Sequence, residues 1–155
     1  MCLIVDANLA SLVFSQNPND DFRPIREWLD SEGKLAVGGH LLVEYDKITN
    51  LLSYILSLSR AGKARIIPSN VVNDEEKLVT NQCKSDDPHV IALARTSGAR
   101  ILCSRDKTLH TDFRNSELID DPRGHIYQNA KHKQLLCMYG HTEACKRNMS
   151  AESIF

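Results

Sequence analysis

Four acidic residues in this chain stand where an apolar run ends or a helix begins. They are Asp6 in CLIVDAN, Glu44 in GGHLLVEYDKI, Asp87 in SDDPHVIALA and Asp106 in ILCSRDKTL. Carboxylates gathered at one end of a sheet repel one another unless a cation lies among them. Hard cations such as Mg2+ and Mn2+ take oxygen ligands and keep part of their water. A cation held there would polarise a phosphate oxygen and acidify water, which is the chemistry of phosphodiester hydrolysis. Four carboxylates can serve one ion or two, and the spacing does not choose between them. Taken singly, three of the acids have plainer readings: Asp87 before Pro88 as a helix N-cap, Glu44 as a solvated helical glutamate, Asp106 as a turn residue. Asp6 is harder to explain in that way. It ends a wholly apolar run, where an unpaired charge is costly.

The elements that must position these acids alternate along the chain. CLIV, 2–5, reads as a buried parallel strand ending at Asp6. Further strands fit 35–39, 64–67, 99–104 and 125–128. Between them lie helical stretches at 9–16, 20–32, 40–60, 71–82, 88–97 and about 107–113. The 40–60 stretch keeps helical period through Leu41, Tyr45, Ile48, Leu52 and Ile55. Strands alternating with helices predict an α/β fold, a three-layer α/β/α sandwich around a mostly parallel sheet. In such sheets the working crevice lies outside the carboxyl ends of the strands, which is where Asp6 and Asp106 fall. Residues 1–130 make one domain and 131–155 a C-terminal tail.

At 155 residues the chain suits one domain with a full core. Net charge is -1, so no global basic field marks a nucleic-acid binder; a local basic rim around an acidic cluster would serve instead. The five cysteines form no disulfide framework, and no stretch is long enough for a membrane span. The expectation is a reduced, cytoplasmic protein with no membrane partner.

The pieces LIVDAN, GGHLLVEYDKI, DPHVIALA and ILCSRD, in that order over about residues 2–113, resemble the PIN-domain ribonucleases. This family includes the toxin ribonucleases of bacterial toxin–antitoxin pairs. The resemblance implies an acidic site for Mg2+ or Mn2+ and endonucleolytic cleavage of RNA. Asp6, Glu44, Asp87 and Asp106 match the family's acidic quartet and carry over as metal-holding, catalytic residues. Asn8 and Ser104 match small polar positions that orient carboxylates or water. A cognate antitoxin protein and a second copy of the chain, as a homodimer, are the partners such a protein takes besides RNA. The family's aspartate–phenylalanine pair follows the last acid closely; here Asp112-Phe113 comes six residues after Asp106, which leaves Asp112 as an additional acid or a helical residue only.

Arg105 and Lys107 flank Asp106 and could hold phosphates on the cleft rim. In the tail, Cys137, His141 and Cys145 stand four apart with His132 upstream, but the spacing is poor for zinc, and a partner-binding or helical tail fits better. Two other functions compete. A PIN-like module that binds RNA or protein without catalysis would not need all four acids. A receiver-like phosphoacceptor needs an aspartate after its third strand, where this chain has Pro68-Ser69.

Overall fold

The computed structural model describes residues 2–139. Its centre is a five-stranded sheet in the order β3-β2-β1-β4-β5, built from β1 (Cys2–Val5), β2 (Lys34–Gly38), β3 (Ala64–Ile67), β4 (Ile101–Cys103) and β5 (His125–Tyr127). Every pairing is parallel. Eight α-helices flank it: α1 (Ala7–Val13), α2 (Arg23–Ser31), α3 (His40–Asp46), α4 (Leu51–Arg60), α5 (Ser69–Val79), α6 (Pro88–Ser97), α7 (Lys107–Arg114) and α8 (Gln134–Tyr139). The result is the expected α/β/α sandwich, with a sheet parallel throughout rather than mostly so.

The topology follows from the sequence pattern. β1 is buried from end to end, as its unbroken apolar run requires of a strand covered on both faces. Each of Leu3, Ile4 and Val5 removes a whole side chain from water, roughly 1.5–3 kcal/mol apiece. β2 and β3 step away from β1 on one side, β4 and β5 on the other. Right-handed crossovers then send the helices of the two halves to opposite faces. Helix contacts follow that division: α1 packs with α2 and α3, α3 with α4, and α5 with α6. The reversal of direction falls between β1 and β4, so a crevice opens beyond their carboxyl ends.

The helix expected over 40–60 is two helices. α3 ends at Asp46 and α4 begins at Leu51, with Asn50 in the left-handed region at φ 64°. Ile48 and Thr49, both β-branched, weaken the helix just before an asparagine that tolerates left-handed backbone. The break lets the two helices serve different neighbours: Leu51, Ile55 and Leu58 face the core beside β3, while Leu41 and Tyr45 face β2 and β1. α3 starts from Gly39 at φ 59°, where a Cβ would meet Val72 Cγ1 at 2.7 Å. Glycine is therefore required both by the dihedral and by the close approach of α5.

The chain after residue 130 is not separate from the sheet domain in its described part. Leu136 of α8 is buried in the same core as β1. Cys137 is exposed, and His141 and Cys145 lie outside the described residues. His132 serves the local chain, its Nδ1 accepting from the Gln128 amide at 3.0 Å. Cys2 is disulfide-bonded, against the expectation of thiols throughout; Cys83, Cys103 and Cys137 are free. That expectation rested on the apolar run around Cys2, in which a thiol passes as a small hydrophobe. Among the described residues no helix is long and apolar enough to cross a membrane.

Candidate metal centre

Asp6 is the first residue after β1 and is 5% exposed. Its amide donates to the Cys103 carbonyl at 2.9 Å, which ties it to the end of β4. One carboxylate oxygen, Oδ2, accepts the Ser104 hydroxyl at 2.8 Å. The same hydroxyl oxygen accepts the Asp106 amide at 3.1 Å. Ser104 thus links the two acids that flank the reversal in strand order. Its own carbonyl is held by His110 Nε2 at 2.6 Å, from the buried side of α7. Asn8 reaches Asp6 through its backbone amide, a long 3.5 Å contact, while its residue is exposed on α1.

Asp106 caps α7, its Oδ1 accepting from the Thr108 and Leu109 amides at 3.0 and 3.2 Å. That is the turn-and-cap role a sequence alone would assign it, and it uses one oxygen of two. Asp87 differs. It occupies the N-cap position of α6 but makes no side-chain cap bond, so helix capping does not account for its carboxylate. Its carboxyl is raised above the ordinary aspartate range, first by loss of solvent and then by the negative charges of Asp6, Glu44 and Asp106; His89 alone among these acts the other way.

Glu44 enters from the opposite layer on α3. The next residue, Tyr45, is wholly buried and donates its hydroxyl to the Val5 carbonyl, one residue before Asp6. This bond pins α3 to the carboxyl end of β1. Burial, with Asp6, Cys103 and Glu44 nearby, pushes the Tyr45 phenol well up, so it stays a donor. Glu44 Oε1 lies 2.7 Å from His89 Nε2. Glu44, Asp87 and His89 each offer a ligand atom within 4.8 Å of the others. Two carboxylates at that separation repel by roughly 3 kcal/mol at the intermediate dielectric near a protein surface, before solvent screening. The donor set of clustered oxygens with one imidazole nitrogen fits a divalent cation.

Asp112 is turned away from this cluster. It is 1% exposed, and its carboxylate accepts from the Lys84 amide at 3.0 Å and the Ser85 amide at 2.9 Å. It grips the loop that leads into Asp87. Arg105 lies over the Phe22 ring at 5.6 Å and Lys107 is exposed, both beside Asp106. Sequence reasoning passed over His89 as a site residue and missed the Tyr45 hydroxyl and His110. A signal for His89 was present: it opens the run HVIALA, which is buried from His89 to Ala94, and a histidine inside such a run needs a polar partner. Comparisons of the chain with protein-family models, with curated proteins and with solved structures give no match.

Proposed function

We propose that this protein is a metal-dependent endoribonuclease of the PIN type, using Mg2+ or Mn2+ to hydrolyse RNA phosphodiester bonds. One observation carries the reading: Glu44, Asp87 and His89 bring their ligand atoms within 4.8 Å of one another, beside Asp6 and Asp106 joined through Ser104 at the strand ends of a parallel sheet. Two acids from different helices, closing on one another and on a buried imidazole, have little reason to do so unless they share a cation. A bound divalent ion would supply Lewis acidity toward a phosphate oxygen and toward water.

The chain's own residues do the rest. Asp6, Asp87 and Asp106 would hold the ion through carboxylate oxygens, and Ser104 keeps Asp6 and Asp106 in register. Glu44, whose Oε1 faces His89, has its other oxygen to accept a proton from an attacking water. Arg105 and Lys107 stand beside Asp106, where they can hold flanking phosphates of an RNA strand. The resemblance to toxin ribonucleases extends the proposal to a cytoplasmic effector restrained by an antitoxin protein. The test is RNA cleavage with Mg2+ or Mn2+, with and without chelator, for wild type and Asp6→Asn. Metal-dependent cleavage that falls to background in Asp6→Asn supports the assignment. Equal cleavage by both proteins sinks it, and metal binding with no cleavage of any RNA offered favours a non-catalytic binding module.

A further inference from the structure

The two ends of the acidic cluster are chemically unlike. At one end Asp6 and Asp106 are joined through Ser104, and the hydrogen bonds their carboxylates accept come from a hydroxyl and from backbone amides. At the other end Glu44 and Asp87 face an imidazole. His89 is 4% exposed, lies two residues after Asp87 in the first turn of α6, and presents Nε2 to the Glu44 carboxylate at 2.7 Å. The His40 ring, also from α3, packs against it edge to face, centroids 4.9 Å apart, and helps fix its orientation. Glu44 and His89 belong to α3 and α6, helices of opposite layers that meet here. A buried ring fixed in this way, with its nitrogen among two carboxylates and all three ligand atoms within 4.8 Å, has the composition of a mixed nitrogen–oxygen ligand set.

We propose that His89 is a metal ligand, and that Glu44, Asp87 and His89 form a subsite selective for nitrogen-accepting transition ions such as Mn2+ over Mg2+. The proposal rests on the metal-site reading above and goes beyond it in naming a fifth ligand and the preference it imposes. Mn2+ is a hard ion that also binds oxygen, but as a transition ion it accepts an imidazole more readily than Mg2+, which keeps to oxygen donors and its own water. The oxygen-only end at Asp6 and Asp106 carries no such preference.

The probe is Mn2+ bound to the full chain, read by pulsed electron paramagnetic resonance and by calorimetry. Wild type is expected to show the nitrogen-14 coupling of a directly bound imidazole, and His89→Gln to lack it. The glutamine can still hydrogen-bond Glu44, so a merely orienting role for His89 would leave Mn2+ affinity nearly intact in that variant. Direct ligation predicts that the nitrogen coupling disappears together with at least about a tenfold loss of Mn2+ affinity, Mg2+ affinity being little changed; since losing an orienting partner alone can cost about 10–100-fold, the coupling is the deciding readout. Glu44→Gln is expected to weaken Mn2+ in parallel, and circular dichroism checks that each variant folds. Wild type that binds Mn2+ without nitrogen coupling, or binds none, overturns the proposal. RNA cleavage is scored separately: nitrogen coupling without cleavage refutes the nuclease reading alone, and cleavage without nitrogen coupling refutes His89 ligation alone.

Discussion

Asp112 offers the sharpest separation between a residue that binds metal and one that holds the binder in place. Its carboxylate is 1% exposed and takes two backbone donors, Lys84 N and Ser85 N, at 2.9–3.0 Å. Hydrogen bonds to a charged acceptor contribute about 1.5–3 kcal/mol each. Both donors lie in a loop that water can reach once the carboxylate is gone, so the upper end will not be realised. Asp112→Ala is expected to cost about 2–4 kcal/mol. Asp112→Asn keeps one acceptor oxygen without charge and is expected to cost about 1–2 kcal/mol, or roughly 3–6 °C in Tm for a chain of this size. Urea unfolding and thermal melts in chelator measure this without reference to metal. Mn2+ titration of the same variants gives the second number. Because the gripped loop leads into Asp87, Asp112→Asn should weaken Mn2+ by a few-fold at most, well short of Asp87→Asn. The reasoning fails if Asp112→Asn unfolds like wild type yet loses as much Mn2+ affinity as Asp87→Asn, since that pattern belongs to a ligand.

Three further outcomes follow from the same geometry. Tyr45→Phe removes the donor that ties α3 to the Val5 carbonyl; chemical denaturation should show a loss of about 1–2 kcal/mol, and an unchanged midpoint would mean the bond does no structural work. For Asp87, a folded-state value raised from 3.8 means its contribution to stability is present in acid and is lost as pH rises through the raised value. Metal-free Asp87→Asn, which cannot ionise, should therefore melt above wild type at pH 7 and gain less from added Mn2+; a lower melting temperature in chelator would contradict the crowding of charge at this site. Burial and the nearby Asp112 charge push the Cys83 thiol up to about 11, and burial pushes Cys103 up to about 12, whereas Cys137 is exposed. Alkylation at pH 7.5, followed by peptide mapping, should label Cys137 well before Cys83 or Cys103, because the thiolate is the reacting form.

Much of the sandwich is written in local pattern. The apolar run at β1, the Asp87-Pro88 helix start and the Gly98 stop of α6, in the left-handed region at φ 82°, are each legible from a few neighbouring residues. They depend on backbone preferences that act over one turn of chain. The helix break at 47–50 was not legible in the same way. Helical period continues through Ile48 to Leu52, and what divides α3 from α4 is the need to seat one against β1 and β2 and the other against β3.

The acids show the same division. Their residue types, and their place at the ends of apolar runs, were readable along the chain. Which of them answer one another depended on the fold. Asp87 has the sequence of an N-cap but no cap bond, and its carboxyl lies instead in a group with Glu44 of α3 and His89 of its own helix. Asp112 has the sequence of a fifth acid, yet it is spent on two loop amides. His89 stands against Glu44, 45 residues away along the chain, because α3 and α6 meet beside the reversal of a parallel sheet. Sequence determined the donors available to this protein. Only tertiary structure decided which donors share a cleft, since a carboxylate's partners are set by distances of a few ångströms between segments that local propensity does not relate.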